Sequence, residues 1–152
     1  LRPRGCPEIR ASCSLPIVTK GMEIGGELYY DGGLVDSIPL ERAFDKKKKK
    51  CVCILTQHRG FQKKPVNPKA ARLIKKYPKI GEAIVNRHIM YNKQLEYVHK
   101  MEEKGLALVI QPSTPLNCSS LEKNIPKLES IYPLGYKHGL DSIDKVKGFI
   151  SK

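Results

Sequence analysis

The sequence predicts a mixed, layered α/β protein. Two short runs, Cys51–Thr56 and Leu106–Ile110, are apolar on both faces, the pattern of strands buried in a parallel sheet under helices. Between and after them lie longer stretches whose apolar residues recur every three or four positions, the period of a helix with one buried stripe. Near the start, Gly25-Gly26 separates Met22–Ile24 from Glu27–Tyr30 and marks a β-hairpin. Strands alternating with helices give the α/β class. The sheet is thin, because two buried strands and a hairpin are few neighbours for runs this apolar. Part of the sheet is therefore expected to lie outside this sequence.

The elements follow in order. Residues 1–8 form an extended lead-in, and Glu8–Leu15 a short helix stopped by Pro16. Ile17 and Val18 are extended and precede the hairpin. Pro39 opens a helix through Phe44, since a missing N–H costs little in the first turn. A basic loop, Asp45–Lys50, feeds the first buried strand, and Gln57–Val66 is a loop. Asn67-Pro68 caps and starts a helix running to about Tyr77, ended by Pro78. A long helix from Ile80 to Lys104 places Ile84, His88, Tyr91, Leu95, Val98 and Met101 on one stripe, and Gly105 stops it. After the second strand, Pro112 and Pro115 force a loop, and Ser119-x-x-Glu122 resembles a capping box. Two helical pieces close the chain, Pro126–Ile131 and Tyr136–Ile150. The second has Tyr136, Leu140, Ile143, Val146 and Ile150 on one face.

Composition narrows the function classes. The 152 residues suit one domain, 1–152, or a portion of a larger one, and the absence of a starting Met fits a piece. No apolar run reaches the roughly 18 residues of a bilayer span, and no secretory signal precedes Cys6. With 28 Lys and Arg against 15 Asp and Glu, the net charge is +13, which favours anionic surfaces. Much of the excess lies in Lys46–Lys50 and in Lys63, Lys64, Lys69, Arg72, Lys75 and Lys76. No aromatic interleaving or zinc spacing supports nucleic-acid recognition. The five cysteines lack Cys-x-x-Cys spacing and read as reduced thiols of a cytoplasmic protein. His88 falls on the helical stripe as a core histidine, while His58, His99 and His138 read as exposed or loop-borne. No metal and no cofactor is assigned.

The stretch Tyr29-Tyr30-Asp31-Gly32-Gly33-Leu34-Val35-Asp36-Ser37-Ile38-Pro39 carries the chemistry. A carboxylate stands where a strand ends and two glycines permit a sharp turn or a close approach. Asp-Gly between extended runs is also an ordinary turn signal, and on those residues alone turn chemistry is the better reading. The surroundings add to it. Arg10-Ala11-Ser12-Cys13-Ser14-Leu15-Pro16, a hairpin, then Asp31-Gly32-Gly33 and Asp36-Ser37-Ile38-Pro39 together resemble the second half of a patatin-like phospholipase domain. Later stretches extend the resemblance, to a bacterial branch, from about Ile9 over nearly the whole chain: Val52–Thr56, Tyr77-Pro78, Asn86-Arg87-His88, Val109–Ser113 and Leu121–Lys123.

That resemblance implies a three-layer α/β/α fold and a serine acyl hydrolase of lipids or esters using a Ser-Asp dyad. Asp31 would take the proton from the serine and return one to the leaving alcohol, with Gly32 and Gly33 holding the turn. A free aspartate has a pKa near 3.9, a weak base at neutral pH, and partial burial would improve it. The serine itself is expected in a Gly-x-Ser-x-Gly turn, and no serine here has that setting. The oxyanion loop, typically worth about 10² to 10³ in rate, is not found either. The nucleophile-bearing N-terminal half is thus the expected partner, and the chain alone should be inactive. Two other readings stand beside this one: a non-enzymatic basic module on anionic lipid or nucleic acid, peripheral to a membrane, and a catalytically dead scaffold.

Overall fold

The computed structural model describes residues 6–69, 76–119 and 122–151. The helices are α1 (Pro7–Ser12), α2 (Leu40–Asp45), α3 (Pro78–Glu103) and α4 (Ile125–Ile150). The strands are β1 (Met22–Ile24), β2 (Glu27–Tyr29), β3 (Cys51–Ile54) and β4 (Ala107–Ile110). The expected mixed α/β class is observed, with small sheets and several helices. The chain divides into two compact units, Leu1–Pro39 with Gln62–Leu95, and Leu40–Phe61 with Glu96–Lys152.

The first unit contains the hairpin. Strands β1 and β2 pair antiparallel with Met22 opposite Tyr29 and Ile24 opposite Glu27. Gly25 and Gly26 both have positive φ, +60° and +84°, as a two-residue mirror-image turn requires. Helix α1 starts at Pro7 and ends at Ser12, shorter than the run to Leu15 that the sequence suggested. The hydroxyls of Ser12 and Ser14 donate to the Ile9 and Arg10 carbonyls, a local bonding habit that competes with continued helix. Ala11, Leu34 and Leu95 are buried in this unit.

The second unit holds a two-stranded parallel sheet, β3 against β4, with Cys51 opposite Ala107 and Ile54 opposite Ile110. Parallel strands need a crossover, and the chain between them passes through α3. Leu40, Leu55, Val98, Met101 and Ala107 are buried here. The expectation of strands buried on both faces is only half met. Alternate residues of β3, Val52 and Ile54, are exposed, Ile54 by 75%.

The helix boundaries carry several corrections. Pro78 starts α3, two residues before the expected Ile80, because proline is tolerated where the first N–H has no partner anyway. Asn67 does cap, its Oδ1 accepting from Lys69 N at 2.9 Å, but the expected body of that helix, 70–75, lies outside the described residues. Gly105, at φ +67°, ends α3, and Leu106 N donates back to Met101 O, a Schellman closure. Leu95, Val98 and Met101 of the expected stripe are buried, and Ile84, His88 and Tyr91 are half-buried. His58, His99 and His138, expected exposed or in loops, are half-buried as well.

Helix α4 differs most. It runs unbroken for 26 residues with Pro133 inside it, where two pieces were expected. Its cap is Asn124, accepting from Lys127 N at 3.0 Å. Glu122 Oε1 accepts from Lys123 N and Asn124 N. The packed face is Ile131, His138, Ser142, Val146 and Phe149, while Tyr136, Leu140, Ile143 and Ile150 of the expected buried face are exposed. Periodicity finds an apolar stripe; it cannot say which of two stripes meets the sheet. No described helix is long and apolar enough to cross a membrane.

Candidate functional site

Asp31 stands two residues beyond the end of β2 and caps a short 3-10 turn, Gly32–Leu34. Its Oδ1 accepts from Gly33 N at 2.7 Å, and its own N–H donates to the Ser14 carbonyl at 2.9 Å. Ser14 is 6% exposed, so this backbone bond ties the turn to a buried point beside α1. The side chain of Asp31 is half-buried, and among the described residues no hydrogen bond falls on its Oδ2. One carboxylate oxygen thus fixes the loop and the other is left to accept from another group.

The two glycines differ in role. Neither has positive φ, so the turn needs no left-handed residue at these positions. A Cβ on Gly32 would meet nothing within 4 Å. A Cβ on Gly33 would stand 3.1 Å from Asp31 Oδ1 and 3.6 Å from Arg87 Nη2. Gly33 is therefore the residue that lets a carboxylate and a guanidinium approach one point of the backbone.

Three side chains that sequence reasoning did not single out for roles hold this region. Arg87 Nε donates to Gly33 O at 2.9 Å, and Ser37 Oγ donates to the same carbonyl at 2.6 Å. Gln94, two turns further along the same face of α3, bridges the next turn: its Nε2 donates to Asp36 Oδ1 at 2.6 Å and its Oε1 accepts from Ile38 N at 2.9 Å. Arg87 and Gln94 lie more than fifty residues from their partners, so no local pattern marks them. The only cue was polar side chains at helical spacing, Arg87 to Gln94, on an otherwise half-buried face.

A second polar group gathers in the other unit. Ser113, His138, Asp141 and Ser142 line a hollow of about 220 Å³ beside β4. These residue types suit a hydrolytic triad, but Ser142 Oγ donates to its own helix at His138 O, 2.7 Å away. No serine hydroxyl there is bonded to the imidazole ring of His138, so the hollow has the parts of a triad without its geometry. Among the described residues no group of three metal-ligating side chains stands together.

The family comparisons divide the chain. Residues 7–44 match the model of the patatin-like phospholipase family. That segment contains α1, the hairpin, Asp31 and both glycines. Residues 77–151 match a different one, a domain of unknown function, DUF6363. The resemblance expected over nearly the whole chain is thus matched as patatin-like only in its first part, and α3, β4 and α4 fall under the second family. The mixed α/β arrangement is consistent with a patatin-like fold. No curated protein and no solved structure matches the chain.

Proposed function

We propose that this chain carries the acid/base half of a patatin-like serine acyl hydrolase, with Asp31 as general base and then acid. The observation that carries the reading is the setting of Asp31. It is half-buried at a strand end, one oxygen held by Gly33 N and the other unbonded, within the segment that matches the patatin-like family. A carboxylate so placed can accept a serine proton without first breaking the bond that positions it. Arg87, Ser37 and Gln94 keep the turn still, which lowers the cost of bringing base and nucleophile into line. The serine comes from a Gly-x-Ser-x-Gly turn in a segment N-terminal to this one, and the substrate is a lipid or other carboxylic ester.

The serine hydroxyl loses its proton to Asp31 Oδ2 as its oxygen bonds to the ester carbonyl carbon. Collapse of the tetrahedral intermediate breaks the bond to the alkoxide, which takes that proton from Asp31. Water repeats the sequence to free the acid. The test is covalent labelling of the full-length gene product with a fluorophosphonate ester. Labelling of a single serine that falls sharply in Asp31→Asn supports the dyad, and equal labelling of both proteins removes Asp31 from the mechanism.

The net charge of +13 favours a second reading, a basic module on an anionic lipid surface without catalysis. In the Lys46–Lys50 run, Lys46 to Lys49 are exposed. Lys50 has a structural use: its Nζ donates to Phe149 O at 3.2 Å and lies over the Phe149 ring.

A further inference from the structure

We propose that a hollow next to the Asp-Gly-Gly turn binds a single-chain anionic amphiphile, its alkyl chain against the Leu15–Val18 loop and Ile84 and its head group at Lys63, Lys64 and Arg87. The inference deepens the hydrolase reading and rests on it for the source of the ligand. Cleavage of a lipid ester releases a fatty acid and a one-chain remainder, and both are single-chain amphiphiles.

The hollow lies wholly within the first unit and encloses about 230 Å³. Pockets for drug-sized ligands run from about 300 to 1,000 Å³, so this one takes the end of one chain and not a two-chain lipid. Its position follows from two of its walls. Leu34 closes the 3-10 turn after Asp31, and Arg87 donates to Gly33 O.

The apolar wall is held open at a cost. Ile17 has φ +75°, a left-handed conformation that a β-branched residue adopts only under constraint. The backbone bond from Thr19 N to Leu15 O, 2.9 Å, closes the turn around it. The result is that Ile17 and Val18 stand 57% and 61% exposed at the mouth. Strain that leaves two aliphatic side chains facing solvent makes sense when an apolar group covers them.

The other wall is cationic: no Asp or Glu is among its described lining residues. Both main-chain polar groups of Lys63 are fixed by Asn92, N to Oδ1 at 2.8 Å and O from Nδ2 at 3.0 Å. That clamp sets where the Lys63 stem begins, and its Nζ lies 5.2 Å from the centre of the Tyr91 ring. Burial, and then the charge of Arg87, lowers the pKa of Lys63, a cost that an anion between the two would relieve. Arg87 spends only Nε on Gly33 O and keeps its two Nη groups for a carboxylate or phosphate.

The test is calorimetric titration of the protein, below micelle concentration, with decanoate, decyl phosphate, neutral decanol and inorganic phosphate. Saturable binding of decanoate or decyl phosphate, with decanol weaker by about tenfold or more and phosphate alone undetected, is the expected result. The two charged arms separate a fatty-acid head from a phosphate head. The double variant Lys63→Met, Lys64→Met should lose about tenfold in affinity for the charged ligand while leaving that for decanol unchanged. Val66→Asp, at an exposed wall position, should weaken the anion further and serves if the double variant fails to fold. Equal affinity for decanol and decanoate, or no saturable binding of either charged ligand, overturns the proposal. Because no turnover is measured, such a failure leaves the role of Asp31 standing, and an inactive Asp31→Asn protein that still binds decanoate separates the two claims in the other direction.

Discussion

At the scale of the residue, the Asp-Gly-Gly turn separates two glycines that look equivalent in sequence. Open space beside Gly32 and the crowded approach of Asp31 and Arg87 at Gly33 predict different outcomes for alanine. Gly32→Ala should leave stability unchanged within about 0.5 kcal/mol, whereas Gly33→Ala should cost about 1 to 3 kcal/mol, read from urea unfolding. Lys63 gives a pH prediction. Its folded pKa lies below the ordinary lysine value, so the folded state disfavours the ammonium. The associated stability is fully present above the ordinary lysine range and is lost as pH falls through the lowered value. Lys63→Met should flatten that alkaline dependence in thermal melts. The cysteines differ in the same spirit. Burial first, then the neighbouring Cys51 and Glu102, raises the Cys53 thiol pKa, while Cys6 and Cys13 are exposed. Iodoacetamide should therefore modify Cys6 and Cys13 well before Cys53, as peptide mass spectrometry would show.

At the scale of the element, local chemistry was legible and partner choice was not. The hairpin could be read because Gly25-Gly26 admits only a few turns, and the end of α3 because Gly105 takes the left-handed conformation. The start of α4 was legible to within a residue, Pro126 against Ile125, but its cap was not: Asn124, next to the helix, accepts the Lys127 N–H. Its exposed stripe was misread because both faces of α4 are apolar. Two helical pieces were expected, and α4 instead runs through Pro133 at the cost of one hydrogen bond. Pro133→Ala should therefore raise the melting temperature, by up to about 3 kcal/mol of stability, and Asn124→Ala should lower it by about 1 kcal/mol. Of the candidate site, Asp31 and its turn were visible in sequence. Arg87, Gln94 and Ser14 were not, because their partners lie on other elements and only folding brings them together. Gln94→Ala leaves Ile38 N–H and Asp36 without their amide partner and should cost about 1 to 3 kcal/mol.

At the scale of the whole molecule, the two family matches fall on stretches of different character. The patatin-like match, 7–44, carries the carboxylate and the hairpin, and the DUF6363 match, 77–151, carries two long helices and a strand. Yet α3 serves the first stretch directly, since Arg87 and Gln94 fix the Asp31–Ile38 turns. The helical stretch is thus part of the proposed catalytic apparatus as a positioning element. Its loosening should reduce turnover without touching substrate: Gln94→Ala removes the bonds to Asp36 and Ile38, and should lower kcat more than it raises KM.

The most direct test of the account is the rate of short-chain ester hydrolysis by the full-length gene product, wild type against Asp31→Asn, with circular dichroism confirming equal folding. The account predicts a fall in kcat of about 10² to 10⁴, the usual worth of a general base. An Asp31→Asn protein that hydrolyses the ester at the wild-type rate would contradict it.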